Sequence, residues 1–90
     1  MHAIANRFSL ASTVGRGHLM LRSDVRNTKL RLGELEYVES LDPSMLDVPD
    51  DGSFQAIREF QTDHGLAVDG VMHPGGETEG AIRNVSYEDE

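Results

Sequence analysis

The segment from Ser53 to Ile82 constrains the fold of this chain most, because it carries signals for a helix, a turn and a second helix start. Apolar residues recur there at spacings of three and four, which is the pattern of one face of an amphipathic helix. Ser53 is a suitable N-cap, and the nearby Asp51 suits the positive end of a helix. The segment therefore predicts a helix that begins at Ser53. One face of this helix points to the core and carries Phe54, Ile57 and Phe60, with Gln61 beside them.

The same segment also marks where this helix ends and where another begins. Gly65 stands where a left-handed residue ends a helix, and Leu66 can then fold back onto it. Asp69 and Gly70 form a turn dipeptide, in which we expect the aspartate to accept backbone amide hydrogen bonds. The Pro-Gly-Gly at 74–76 prevents the helix from continuing, and the Glu-Thr pair after it favours a new start.

In this combination the chain resembles the peptidoglycan-binding domain family of small three-helix modules. The resemblance covers roughly residues 23–84 and implies an all-α, three-helix fold and non-catalytic binding of the peptidoglycan stem peptide. We expect its apolar members, Leu66, Val68 and Ile82 included, to be core. The matching positions are Ile57, Phe60, Gln61, Gly65, Leu66, Val68, Asp69, Gly70, Gly75, Thr78, Ala81 and Ile82, with Val25, Leu32 and Leu35 in the first helix.

Three regions are predicted: an N-terminal arm at 1–22, the family-like domain at 23–84 and an acidic tail at 85–90. In the arm, apolar and polar residues alternate around Phe8 and Leu10, which indicates a short β-hairpin or an extended segment. An isolated hairpin is only marginally stable, so the arm needs packing on its own helices or on another chain. For the apolar run Leu19–Leu21 we favour its own helices, with a contact to another subunit as the alternative.

The first helix is predicted to begin with Ser23 or Asp24 as its cap. Gly33 weakens the interior of that helix, and we expect it to permit a close crossing by another helix. The acidic connection at 36–52 contains two prolines that prevent one uninterrupted helix. Three of its apolar residues are expected to dip into the core: Met45, Leu46 and Val48.

Charge is divided unevenly along the chain. Residues 1–31 carry a net charge of +5, and residues 32–90 carry −13. An acidic body argues against nucleic acid as the main ligand, because phosphate binding needs clustered cations. The favoured interpretation is solubility with a mildly basic first helix, and the alternative is an arm that docks on an acidic surface of this chain or a neighbour.

The sequence shows no pattern for catalysis, metal binding or a cofactor. There is no cysteine, and no Gly-x-Ser-x-Gly motif for a nucleophilic serine. The four histidines do not form a metal-ligand pair at helical spacing. We therefore predict a protein that is not an enzyme and that uses no metal or cofactor.

Four residues are candidates for ligand binding. Arg58 and Arg83 are the only cations after residue 31, and a guanidinium binds the free carboxylates of muropeptides well. For both arginines, an ion pair with Glu59 or Glu79 is the competing interpretation. Gln61 either bonds to a loop carbonyl across the core or faces a ligand groove, and Tyr37 either walls a peptide site or covers the core.

Two functions remain from the sequence. The first is a wall-binding module, and the second is a structural component of a bacteriophage virion that reuses this fold, with other virion proteins or copies of itself bound through residues 1–22. No apolar run suits a membrane span or a signal peptide. We therefore expect synthesis in the cytoplasm and action at the bacterial cell envelope, with virion association as one route. An arm that folds back and leaves a groove open favours the first function.

Overall fold

The computed structural model describes residues 8–38 and 41–88, with 86–88 described by their backbone. It contains three α-helices, α1 (Arg22–Glu34), α2 (Asp51–Asp63) and α3 (Glu77–Glu88), and one turn of 3₁₀ helix at Pro43–Met45. The described residues contain no β-strand, and a single antiparallel bridge joins Val14 to Met72. The predicted all-α, three-helix fold is confirmed. The first seven residues of the arm and the last two of the tail lie outside the described residues.

The core is built around the two phenylalanines of α2. Phe54 is 5% exposed and Phe60 is fully buried, as the helical spacing predicts. Val68 is 52% exposed, so its predicted place in the core is wrong. It lies in the loop before the Asp-Gly turn, which is held by hydrogen bonds to Gln61. The buried hydrophobic cluster comprises Phe8, Leu10, Val14, Leu32, Phe54, Ala56, Ile57, Phe60, Met72 and Ile82.

Local signals fix both ends of α2. The N-cap is Asp50 and not the predicted Ser53: the Asp50 carboxylate accepts from the Ser53 amide at 3.0 Å, and the Ser53 hydroxyl accepts from the Asp50 amide at 3.2 Å. This reciprocal pair is a capping box, which moves the helix start to Asp51. At the other end Gly65 has φ +69°. The predicted left-handed ending at Gly65 is confirmed, and the Leu66 amide donates to the Gln61 carbonyl at 2.9 Å, which makes it a Schellman motif.

The first helix begins at Arg22, earlier than predicted, and no side chain caps it. Asp24 is buried, and its carboxylate faces the arm instead. It accepts from the amides of Ala11 at 3.1 Å and Ser12 at 2.8 Å. The prediction that Ser23 or Asp24 caps α1 is therefore wrong. The Asp24 carboxylate, the only one in the first turn of α1, binds the arm amides and not the amides at the start of its own helix.

The connection between α1 and α2 packs differently from the prediction. The neighbour of Gly33 is not a helix but the side chain of Leu41, whose Cδ1 would lie 2.8 Å from a Cβ added at Gly33. Met45 is 40% exposed and so does not enter the core, whereas Leu46 and Val48 are partly buried. The connection is thus only partly packed, which leaves room beside α2.

The described part of the arm folds back onto the helices. Phe8, Leu10 and Val14 are buried, and the Leu10 amide donates to the Glu79 carboxylate at 2.7 Å. Leu19 is 98% exposed and Leu21 is 49% exposed, so the predicted packing of the Leu19–Leu21 run is wrong for both leucines. Met20, from the middle of the run, packs against the core.

Replacing Glu36 with glycine should stabilise the fold by about 1 kcal/mol. Glu36 has φ +71° just after α1, where the Tyr37 amide donates to the Leu32 carbonyl at 2.8 Å. A residue with a Cβ is strained in this left-handed conformation, and glycine is not. Urea unfolding followed by circular dichroism measures the gain. Glu36→Ala, which removes only the carboxylate, should show no such gain, and equal stability of the two variants would contradict the assignment to backbone strain.

Candidate ligand-binding groove

A groove of about 420 Å³ lies between α2 and the segment that follows α1. One wall is the face of α2 that carries Gly52, Gln55, Ala56 and Glu59, which share that face because they are three or four residues apart. Mostly apolar residues of the connection form the other wall. Ligand pockets typically have such a size and such a mixture of apolar and polar groups. The remaining lining residues are Lys29, Tyr37, Val38, Leu41, Asp42, Met45, Leu46, Asp50 and Ser53.

Tyr37 forms a fixed aromatic part of the groove wall. Its ring packs edge-to-face on Phe60 at 5.5 Å between centroids, and its hydroxyl donates to the Asp63 carboxylate at 2.8 Å. Burial and the Asp63 carboxylate raise the pKa of Tyr37 to about 12. The phenol therefore stays neutral and keeps donating at physiological pH. Of the two interpretations of Tyr37, the geometry allows both, because the ring covers the core and lines the groove.

Lys29 and Asp50 neutralise each other in the groove wall. Lys29 is 6% exposed, and its Nζ donates to the Met45 carbonyl at 2.6 Å and to the Asp50 carboxylate at 3.2 Å. Burial raises the pKa of Asp50, but hydrogen bonds from the Ser53 amide and Lys29 outweigh it and hold the pKa below its usual value. The Asp50 carboxylate therefore stays ionised at neutral pH and pairs with the Lys29 side chain.

Arg58 does not line the groove, but it is bonded to a residue that does. Its Nη2 donates to Oε1 of the groove-lining Gln55 at 2.7 Å. Its stem crosses Gly70, where an added Cβ would come within 3.2 Å of both Cγ and Nη1 of the arginine. Within the part of the chain that the structure describes, no ion pair joins Arg58 to Glu59. The guanidinium is therefore held in place by an uncharged partner.

Gln61 holds the loop behind α2 together and is only 1% exposed. Its carbonyl oxygen accepts from the amides of Asp69 at 3.1 Å and Gly70 at 2.9 Å. Its amide nitrogen donates to the Asp69 carboxylate, the Val71 carbonyl and the Thr78 hydroxyl at 3.0–3.2 Å. The predicted bond to a loop carbonyl is thus confirmed, and the side chain lies on the opposite side of α2 from the groove.

Asp69 stabilises its own turn as predicted. Its carboxylate accepts from the Val71 amide at 3.0 Å. The Val71 amide, followed by the Gln61 side chain, lowers the pKa of Asp69 below its usual value.

Arg83 holds the arm and does not line the groove. Its Nε donates to the Phe8 carbonyl at 2.9 Å, and its Nη2 pairs with the Glu79 carboxylate at 3.1 Å. The predicted pair with Glu79 is confirmed. Of the four candidate residues, only Tyr37 lines the groove. Arg58 is bonded to the groove-lining Gln55, and Gln61 and Arg83 lie apart from the groove.

Sequence reasoning missed Lys29 and Glu59 as groove residues. A signal for Lys29 was present, since it lies four residues after Val25 and three before Leu32, on the buried stripe of α1. Glu59 had no comparable signal, because an exposed glutamate on a helix is the commonest arrangement. Its place in the groove depends on how the irregular connection packs.

Beyond the groove, the described residues form a smaller cavity, but no cluster of metal ligands and no membrane-spanning helix. A smaller cavity of about 130 Å³ lies beside the Asp-Gly turn and the start of α3. Across residues 8–38 and 41–88, no three His, Asp or Glu side chains come together in a way that would hold a metal ion. No helix in the same ranges has the length and apolar character needed to cross a bilayer.

Comparison with known proteins gives one match. A family model described as "Putative peptidoglycan binding domain" matches residues 22–82. The matched range contains α1, the groove, α2 and the first part of α3, and it leaves out the arm. No curated protein and no solved structure matches the chain significantly.

Proposed function

This chain belongs to the family of peptidoglycan-binding domains, and from that premise we propose that it is a non-catalytic module that captures the stem peptide of peptidoglycan in the groove beside α2. It would thereby hold an attached assembly at the bacterial cell wall. Family membership supports peptidoglycan as the ligand. The observation that supports the location is the 420 Å³ groove, which lies within the family-matched range.

The lining of the groove suits a short peptide with small side chains. Stem peptides contain alanines, and the apolar wall of Val38, Leu41 and Leu46 offers contacts for their methyl groups. Tyr37 adds a rigid ring that loses little conformational entropy on binding, because Phe60 and Asp63 already hold it. These groups would bind the peptide without any bond being broken.

Arg58 is the proposed partner of a stem-peptide carboxylate. Its guanidinium is bonded to the groove-lining Gln55, which is its only partner among the described side chains and carries no charge. A guanidinium with free N–H groups binds a carboxylate in a charge-assisted, bidentate manner. Gln61 would contribute indirectly, by supporting the loop over which Arg58 lies, and Arg83 by tethering the arm.

The position of the arm favours wall binding over virion assembly. Its described residues bury Phe8, Leu10 and Val14 against their own helices and leave the groove open. One observation supports the alternative of a structural virion component: Leu19 is 98% exposed and offers a contact for another subunit. A protein that forms a defined oligomer, and that is not retained by cell-wall sacculi, would support this alternative.

Filling the groove with a side chain should abolish binding to sacculi. A Cβ at Gly52 would meet only the Asp50 carboxylate at 3.7 Å, so Gly52→Phe can place a ring in the groove without disturbing α2. We expect roughly a tenfold or greater loss of retention in a sedimentation assay with purified sacculi, because the ring occupies the peptide's volume.

Arg58→Glu should lower retention in the same assay by roughly tenfold, because it removes a charged hydrogen bond to the peptide.

The matched control is Gly80→Phe in α3, which lies outside the groove and where an added Cβ meets nothing within 4 Å. It should leave retention unchanged, and all three variants should keep the wild-type circular dichroism spectrum. Equal retention of the Gly52 and Gly80 variants would show that the groove does not bind the wall.

A further inference from the structure

Building on the proposed function, we infer that the groove selects stem peptides whose diamino acid carries a free side-chain ammonium group. Stem peptides contain a diamino acid, and cross-linking of the wall acylates its side-chain amine. The charged form therefore marks stems that are not cross-linked through that amine. The groove would distinguish these two forms of the same peptide by charge.

The first support is the charge of the lining. The groove contains one cation and three carboxylates, which gives a net charge of −2. The positive charge of Lys29 is balanced by its ion pair with Asp50. The net negative charge of the groove therefore comes from Asp42 and Glu59. One comes from each of the two elements that form the groove. A ligand in this groove therefore gains most from electrostatics if the part of it that enters the groove is positively charged.

The second support is the hydrogen-bonding state of those two carboxylates. Asp42 uses Oδ1 for both of its bonds, from the Ser44 amide at 3.0 Å and the Ser44 hydroxyl at 2.9 Å, which leaves Oδ2 for a ligand. These two bonds lower the pKa of Asp42, so it is ionised at neutral pH. Glu59 accepts a long 3.3 Å bond from Gln55 on Oε2 only. Both side chains can therefore accept from an ammonium group.

The third support is the placement of a cation beside the groove. A stem peptide carries carboxylates as well as the amine, and an acidic lining repels the carboxylates. Arg58 is bonded to the groove-lining Gln55 but does not itself line the groove, so a peptide carboxylate that extends past Gln55 can pair with the guanidinium. The charges thus give the bound peptide a direction, with its ammonium inside the groove and a carboxylate past Gln55.

The test uses the tripeptide L-alanyl-γ-D-glutamyl-diaminopimelate and the same peptide acetylated on the side-chain amine. Calorimetric titration of the full chain should give about tenfold tighter binding of the free amine, because acetylation removes the charge that two carboxylates attract. Glu59→Gln should lower the affinity for the free-amine peptide by about fivefold and leave the affinity for the acetylated peptide unchanged. Glu34→Gln, an exposed acid outside the groove, should change neither affinity.

Equal affinity for both peptides would overturn the inference, as would an equal effect of Glu59→Gln on both. If Gly52→Phe abolishes retention on sacculi while acetylation has no effect, the proposed groove stands and only the selectivity for the ammonium group fails. If sacculi retain the protein and neither peptide binds, the stem peptide is not the ligand and the inference fails with it. If sacculi do not retain the wild-type protein at all, the proposed function itself fails.

Discussion

Gln61→Leu should lower the free energy of unfolding by about 3 kcal/mol, the sum of several lost hydrogen bonds and of buried polar groups left without partners. The substitution keeps the approximate volume of the side chain but removes every bond that Gln61 makes to the loop. The Gly70 amide and the Thr78 hydroxyl then lose a buried partner. Since small domains are stable by only roughly 5 kcal/mol, the loss is a large fraction of the total.

Urea unfolding at low temperature measures this loss, and hydrogen exchange at the Gly70 amide locates it. Gln55→Leu is the matched control, because Gln55 lies on the same helix, is exposed, and makes only surface side-chain bonds. Its effect should stay within about 0.5 kcal/mol. A loss below about 1 kcal/mol for Gln61→Leu would mean that packing, and not this side chain, holds the loop.

Glu79→Ala should destabilise the fold by about 3 kcal/mol and release the arm, because it removes a buried carboxylate that three groups share. Glu79 is 3% exposed and accepts from the Leu10 amide at 2.7 Å, the Gly75 amide at 2.8 Å and Arg83 at 3.1 Å. Without it, the Arg83 guanidinium loses its counter-charge. Equilibrium unfolding gives the global loss, and faster hydrogen exchange at Leu10 reports the release of the arm.

Two further variants test the cause. Glu79→Gln keeps the shape and one acceptor oxygen but removes the charge, so its effect should fall between those of wild type and Glu79→Ala. Asp47→Ala removes the pair with Arg22, which is 82% exposed, and should cost no more than about 0.5 kcal/mol. Unchanged exchange at Leu10 in Glu79→Ala would show that apolar packing alone fixes the arm.

The parts of the fold that could be predicted from the sequence are those whose signals are local. The buried face of α2, its ending at Gly65 and the Asp69 turn each depend on residues within a few positions of one another. The start of α2 was harder, since several residues between Asp50 and Ser53 can cap a helix. The capping box selects Asp50 through its backbone conformation, which composition does not specify.

The remaining features depend on contacts between distant parts of the chain. Asp24 is a good cap by type, yet it binds arm amides twelve and thirteen residues before it. Glu79 binds an amide 69 residues away, and no spacing rule predicts such a partner. One wall of the groove is an irregular segment whose sequence has no periodicity. Tyr37 could therefore be identified from the sequence as a candidate ligand-binding residue, but its position in the same groove as Glu59 could not be predicted.

The arm has a practical consequence for the use of this module. Its residues Phe8, Leu10 and Val14 belong to the same buried cluster as the helices, although they precede the family-matched range of 22–82. A fragment trimmed to that range would expose apolar surface, and Asp24 and Glu79 would lose the amide partners that the arm supplies. A unit for transplantation onto another protein therefore has to include the arm from at least Phe8 and cannot begin at the family boundary.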